Sequence, residues 1–166
     1  MVSPPIRVLM LCMGNICRSP TAEGVLRARL REAPDLSVVV DSAGTLGYHV
    51  GDAPDARAIH HARSRGIDLS ALRARQLRPD DFEIFDWILC MDDANRTAAL
   101  RLCSGHGEDR LHLLLDFAQM GEREVPDPYY GGPQDFERAL DLIELGVAGF
   151  IRELRRVTGR SSPIRT

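Results

Sequence analysis

A segment of nine residues near the N-terminus combines residue types that could carry chemistry. It reads Cys12-Met13-Gly14-Asn15-Ile16-Cys17-Arg18-Ser19-Pro20 and follows a short apolar run. A cysteine thiolate is a nucleophile that needs no separate base. An arginine six residues later offers a planar pair of N–H donors that matches two oxygens of a phosphate. The spacing therefore predicts a loop that binds a tetrahedral oxyanion and attacks it through sulfur.

The elements on either side of this segment favour the same interpretation. The run Ile6–Leu11 predicts a strand buried on both faces, and Pro20 suits the first turn of a helix that ends near Pro34. Backbone N–H groups of a strand–loop–helix connection can form a concave anion nest, to which the helix start adds partial positive charge. We therefore expect the loop amides of residues 13–17 to surround the anion.

Four residues of this segment have specific expected roles. Gly14 permits backbone angles that other residues resist. We expect Ser19 to donate a hydrogen bond to the sulfur of Cys12 and Asn15 to brace the loop. Arg18 can follow two phosphate oxygens into a trigonal transition state.

The rest of the chain predicts one α/β domain over residues 1–166. Further apolar runs predict strands at Ser37–Val40, Trp87–Cys90 and Leu111–Leu115. Asp41–Thr45 is expected to be the loop that follows the first of these strands. Helices are expected at 54–65, from the N-cap Asp92 to about Cys103, and over 136–154. Alternating strands and helices predict a four-stranded parallel sheet flanked by helices on both faces. The phosphate-binding loop between strand 1 and helix 1 then lies at the edge where such sheets bind ligands.

Composition limits the classes of function. The 166 residues are 44% hydrophobic and 27% charged with a net charge of −3, which argues against nucleic-acid binding. No apolar run is long enough to span a bilayer, and the N-terminus lacks the pattern of a signal peptide. We expect a cytoplasmic protein without membrane contact, a monomer or weak dimer, with frayed tails at 1–5 and 159–166.

All 21 basic residues are arginine, so the chain has no lysine. This excludes Schiff-base chemistry and the lysine of a nucleotide-binding P-loop. The four cysteines at 12, 17, 90 and 103 do not follow a zinc-binding pattern. No metal and no cofactor are expected.

Several motifs together resemble the low-molecular-weight protein tyrosine phosphatases over roughly residues 6–157. Besides the Cys12–Pro20 loop, they are Asp41-Ser42-Ala43-Gly44-Thr45, Ala74-Arg75-Gln76, Cys90-Met91-Asp92 and Asp127-Pro128-Tyr129-Tyr130. The resemblance implies hydrolysis of phosphotyrosine through a phosphocysteine, with Cys12 as nucleophile, Arg18 as phosphate clamp and Asp127 as general acid and base. By itself, Asp127-Pro128 is also a common turn signal.

The same resemblance implies supporting roles. Tyr48 and Tyr129 would line the cleft as walls for a substrate ring, and Tyr130 would be a further wall or a site of regulatory phosphorylation. Ser42 would hydrogen-bond Asn15, and Asp92 would lie near Arg18 unless it is only an N-cap. Cys17 would protect Cys12 through a reversible disulfide, or simply pack in the loop. Leu72 stands where some members carry a bracing histidine.

Alternative functions on the same fold stay open at this point. Thioredoxin-coupled arsenate reductases need two further cysteines close together, whereas Cys90 and Cys103 are 13 positions apart. Protein-arginine phosphatases of this family carry a small threonine where Ile16 stands. A non-catalytic phosphate-binding module would lack Cys12, Arg18 or Asp127. For a bacterial member, the phosphotyrosine-containing partner could be a tyrosine kinase.

Overall fold

A computed structural model of the chain describes residues 2–159. Its helices and strands are β1 Ile6–Cys12, α1 Arg18–Leu30, β2 Val38–Gly44, α2 Ala56–Arg63, α3 Asp81–Ile84, β3 Trp87–Cys90, α4 Asp93–Leu102, β4 Leu111–Leu113 and α5 Pro133–Thr158. Two short 3₁₀ turns flank β4, at Glu108–Arg110 and Leu114–Phe117. The expectation of frayed tails falls partly on residues 1 and 160–166, which lie outside the described residues.

The four strands form one parallel sheet in the order β2-β1-β3-β4. This confirms the predicted fold class. β1 lies in the interior of the sheet, and its residues Val8–Leu11 have no exposed surface. Its apolar residues could not alternate with polar ones, because both faces of the sheet are covered.

Helices pack on both faces of the sheet, and a separate hydrophobic core lies on each face. Val8 and Met10 of β1 belong to the core that contains the apolar residues of α1 and α5. Leu9 and Leu11 belong to the opposite core, which contains Phe82 of α3 and residues of α4. α5 contributes the apolar stripe of the predicted last helix. Within residues 2–159, no helix is long and apolar enough to cross a membrane.

The predicted loop at Asp41–Thr45 is wrong for most of its length. β2 continues through Gly44, because residues 41–44 extend the parallel ladder with β1 as far as the pair Cys12 and Gly44. Their small and polar side chains hide this strand in the sequence, since backbone pairing with a neighbour compensates for weak β propensity. β4 in turn ends at Leu113, where the backbone turns into a 3₁₀ helix.

Candidate active site

Residues 13–17 form a tight loop at the carboxyl end of β1, between the central strand and the N-terminus of α1. Asn15 adopts a left-handed backbone conformation with φ of +57°, which turns its N–H toward the Sγ of Cys12 at 3.3 Å. The segment just after β2 supports the loop from one side, where the N–H of Leu46 donates to the carbonyl of Met13 at 3.0 Å. The loop therefore curls around the sulfur.

The thiol of Cys12 lies almost fully buried at the base of this loop. Its Sγ is 3.0 Å from the Oγ of Ser19, as expected for a hydroxyl that donates to a thiolate. The first turn of α1 begins at Arg18, so the helix N-terminus adds partial positive charge. Donors and positive charge thus surround the position where a thiolate would carry its charge.

The side chain of Asn15 braces the loop with three hydrogen bonds. Its Nδ2 donates to Ser19 Oγ at 2.8 Å and to Ser42 Oγ at 2.9 Å. Its Oδ1 accepts from the N–H of Arg75 at 3.0 Å. These bonds hold the left-handed backbone. The Ser19 hydroxyl hydrogen then has two acceptors within reach, the sulfur of Cys12 at 3.0 Å and the more distant carbonyl of Ala43 at 3.4 Å.

The bracing network ends on a buried carboxyl group that sequence reasoning missed. Ser42 Oγ donates to Glu23 Oε1 at 2.6 Å, and Glu23 also pairs with Arg27 one turn later in α1. Glu23 is 2% exposed, and burial raises its pKa although Ser42 and Arg27 oppose that effect. Its helical spacing from Ser19 and Leu26 is the signal that could have placed it on the inner face of α1.

Arg18 is 4% exposed, and carboxylates and a carbonyl surround its guanidinium. Nη1 donates to Asp92 Oδ2 at 2.5 Å and to the carbonyl of Val125 at 3.0 Å, and Nη2 lies 3.5 Å from Asp127 Oδ2. Burial by itself would lower the pKa of Arg18, but Cys12, Asp92 and Asp127 outweigh it and raise the pKa. The guanidinium is therefore charged and held in one orientation.

Asp92 has both of the functions that the sequence left open. Its Oδ1 accepts the N–H of Asn95 at 2.8 Å and so caps α4, while its Oδ2 holds Arg18. One residue thus connects the start of α4 to the guanidinium of Arg18.

Cys17 is also buried, but its environment differs from that of Cys12. Burial first, and the electrostatic effects of Asp55, Cys12 and Asp127 second, raise the pKa of Cys17 to about 12. Its thiol is therefore neutral at physiological pH, and both Cys12 and Cys17 are free thiols in this structure. This environment disfavours the thiolate of Cys17.

A cleft of about 430 Å³ opens above the loop. It is lined by Cys12, Met13, Gly14, Ile16, Cys17, Arg18, Leu46, Tyr48, His49, Asp127, Tyr129 and Tyr130. Tyr48 and Tyr130 are 86% and 95% exposed at its rim, and Tyr129 is less exposed, at 37%, with its ring 4.9 Å from that of Tyr130. The structure brings every expected wall residue to one opening.

Asp127 reaches this cleft from the segment that precedes α5. One carboxylate oxygen accepts the N–H of Tyr129 at 3.1 Å, and the other faces Arg18. Sequence reasoning missed two groups that position this segment, the Val125 carbonyl and Arg57, whose Nη2 donates to the carbonyl of Tyr129 at 3.0 Å. No sequence signal identifies either group, because both act through backbone carbonyls.

The fold and the site together define an α/β protein that places a cysteine, an arginine and a carboxylate around the loop between β1 and α1. Residues 7–159 match the family described as low molecular weight phosphotyrosine protein phosphatase. The chain belongs to this family.

Individual relatives agree with this assignment. The low molecular weight phosphotyrosine protein phosphatase 1 of Drosophila melanogaster is 40% identical over 149 residues, which are 89% of this chain and 96% of the relative. Among solved structures, a protein tyrosine phosphatase from Entamoeba histolytica superposes with a TM-score of 0.86 at 35% identity, over 92% of this chain and 99% of that one. YfkJ from Bacillus subtilis superposes with a TM-score of 0.88 at 31% identity, over 93% of this chain and 98% of YfkJ.

Proposed function

We propose that this chain hydrolyses phosphotyrosine in proteins through a phosphocysteine intermediate. The observation that carries the proposal is the meeting of three groups in one cleft. Cys12 Sγ lies among donors at its base, the guanidinium of Arg18 lies behind the loop, and a carboxylate oxygen of Asp127 is 3.5 Å from that guanidinium. A nucleophile, an anion clamp and an acid are the groups that phosphate-ester cleavage needs.

In the first step, the thiolate of Cys12 attacks phosphorus in line with the leaving oxygen. The S–P bond forms as the bond between phosphorus and the tyrosine oxygen breaks, and protonated Asp127 gives its proton to that oxygen. In the second step, the Asp127 carboxylate takes a proton from water. The water oxygen then bonds to phosphorus, and the S–P bond breaks to release phosphate and the thiolate.

Fixed donors stabilise the phosphoryl group during both steps. The loop amides and Arg18 face its oxygens, and they need no reorganisation when charge develops. The Ser19 hydroxyl supports the sulfur both as nucleophile and as leaving group, because it is already within hydrogen-bond distance. Because the Cys17 thiol is neutral, it does not add a second negative charge next to Cys12 and the phosphate.

The substrate class is inferred from the walls of the cleft and from the relatives. Tyr48 and Tyr129 line the opening on which an aromatic ring could stack, and the relatives are named for phosphotyrosine. Several finer expectations stay predictions. They are a cytoplasmic location, a tyrosine kinase as partner, phosphorylation of Tyr130, a protective Cys12–Cys17 disulfide, and a monomeric or weakly dimeric state.

The test is hydrolysis of an aryl phosphate and of a phosphotyrosine peptide in the presence of a chelator. Cys12→Ser should abolish turnover while still binding the peptide, and Asp127→Ala should slow turnover by about 10²–10⁴-fold. Cys103→Ser is the matched control, since Cys103 lies at the end of α4 and not in the cleft. Turnover that survives in Cys12→Ser, or faster hydrolysis of a phosphoarginine peptide, would contradict the proposal.

A further inference from the structure

The segment that carries Asp127 has few polar links to the rest of the protein, and its main apolar anchor is the buried Pro128. Within residues 2–159, the backbone hydrogen bonds of 126–132 stay inside the segment or reach the first turn of α5. The contact of Asp127 with Arg18, at 3.5 Å, is longer than a normal hydrogen bond. The remaining polar link is the bond from Arg57 Nη2 to the Tyr129 carbonyl, at 3.0 Å.

Arg57 is itself held in one orientation by Asp55. Its Nε donates to Asp55 Oδ1 at 3.0 Å and its Nη2 to Asp55 Oδ2 at 2.9 Å, which is a two-pronged ion pair. Hydrogen bonds from Arg57 lower the pKa of Asp55 despite partial burial, so the carboxylate stays ionised. A lone exposed ion pair contributes little, but here it orients a donor toward a third group.

The same pair is attached to the phosphate-binding loop. The N–H of Asp55 donates to the carbonyl of Ile16 at 2.8 Å, inside the loop that surrounds Cys12. Asp55 therefore links that loop to Arg57, and Arg57 links it to the segment of Asp127.

Two aromatic rings complete the position of the guanidinium. Its central carbon lies 4.7 Å from the ring centre of Phe136 in α5 and 5.5 Å from that of Tyr129. A planar guanidinium can stack on rings while its edge donates to a carboxylate and a carbonyl, and an ammonium group cannot. The site is thus specific for arginine.

We propose that the Asp55–Arg57 pair is a positioning element that holds Asp127 in register with the phosphate-binding loop. The proposal rests on the function proposed above, with Asp127 as general acid. Loss of the pair lets the segment of Asp127 move away from the leaving oxygen, while Cys12, Arg18 and their donors stay in place. The expected defect is in protonation of the leaving group and not in nucleophilic attack.

The experiment compares phenyl phosphate with 4-nitrophenyl phosphate. Phenolate needs a proton in the transition state, whereas the more acidic nitrophenol leaves readily without one. For Arg57→Ala we expect kcat/KM to fall by about 10–100-fold with phenyl phosphate but by only about threefold with 4-nitrophenyl phosphate, a part of what a general acid supplies. Asp127→Ala should show the same contrast more strongly. Arg63→Ala, an exposed change on the same helix, should leave both rates at the parent level.

Two further variants separate positioning from charge and from general loss of structure. Arg57→Lys keeps the positive charge but not the planar pair of donors. It should therefore behave like Arg57→Ala, with a larger fall in kcat/KM for phenyl phosphate than for 4-nitrophenyl phosphate. Arg57→Ala added to Asp127→Ala should not widen the contrast further, because the acid that it positions is already absent. Thermal unfolding of every variant shows whether each is folded.

Three results would overturn the proposal. They are an equal fall for both substrates in Arg57→Ala, full restoration by Arg57→Lys, or an additional contrast in the double variant. A parent enzyme without Cys12-dependent turnover would instead overturn the proposed function, and this inference with it.

Discussion

At the scale of single residues, Arg18 shows why a chain without lysine can depend on arginine in one place. One terminal nitrogen of its guanidinium is bound to Asp92 and Val125, and the other faces Asp127 at the cleft. Nη1 of the planar group is thus held by protein groups, whereas the edge that faces the cleft could donate to a phosphate. A lysine ammonium in the same position cannot do both, since its donors spread from one point.

We predict that Arg18→Lys lowers kcat/KM for an aryl phosphate by about 100-fold or more, as removal of a fixed transition-state donor does elsewhere. Inhibition by inorganic phosphate should weaken in parallel, because the same fork binds the product. Steady-state kinetics with phosphate as inhibitor checks both, and Arg63→Lys is the control. An Arg18→Lys enzyme with the parent's rate would show that charge alone suffices.

Residue types and short spacing were enough to predict the centre of the site. Cys12, Arg18 and Ser19 lie within eight consecutive positions, so their proximity follows from the local loop. Asp127 was inferred from family resemblance, because its motif by itself is also a turn. Glu23, Arg57 and the Val125 carbonyl could not be predicted as site groups, since their partners lie elsewhere in the chain.

At the scale of elements, the end of β2 shapes the phosphate-binding loop. Gly44 pairs with Cys12 in the last position of the ladder, and its missing side chain lets the loop lie directly against it. A Cβ at Gly44 would stand 2.7 Å from the carbonyl oxygen of Met13 and 3.1 Å from the nitrogen of Asn15. These atoms belong to the loop that we propose binds the phosphate, so the close approach would couple the sheet edge to that binding.

Gly44→Ala should therefore push the loop out of shape and weaken inhibition by inorganic phosphate. It should also cost about 1–3 kcal/mol of unfolding free energy, as overpacking does elsewhere. Phosphate inhibition and urea unfolding measure the two effects. Gly121→Ala is the matched control, because a Cβ at Gly121 meets nothing within 4 Å. Unchanged phosphate inhibition in Gly44→Ala would refute the coupling.

At the scale of the whole molecule, the parallel sheet collects distant segments at one edge. The loop after β1, the end of β2, the start of α4 and the segment before α5 all contribute groups, because parallel strands end on the same side. The buried carboxyl of Glu23 lies behind this edge, where it joins α1 to Ser42 of β2. Its protonation is therefore linked to global stability.

The raised pKa of Glu23 determines the sign of that linkage. In the folded protein, Glu23 keeps its proton at pH values above its ordinary pKa of 4.5. The native state therefore binds more protons than the unfolded state in the pH range just above 4.5. Stability therefore falls as pH rises from 4.5 to the folded-state pKa, and stays lowered at higher pH. We predict that Glu23→Gln removes this fall, which urea unfolding at several pH values measures.

Glu32→Gln is the control for that prediction, because Glu32 is 72% exposed just beyond α1. It should shift the unfolding free energy by about 0.5 kcal/mol or less at each pH, as surface substitutions usually do. If the stability of Glu23→Gln falls with pH as that of the parent does, Glu23 is not the group responsible.

The fold class, the family and the position of the Cys12–Pro20 loop could all be predicted from the amino-acid sequence. These depend on apolar periodicity and on contiguous motifs, and both are local properties of a chain. The folded structure was needed to show that β2 reaches Gly44, that Glu23 ends the bracing network, and that Asp55 and Arg57 join the loop to the segment of Asp127. Each of these depends on pairing between backbone groups or side chains far apart in the sequence, and only folding sets their distances.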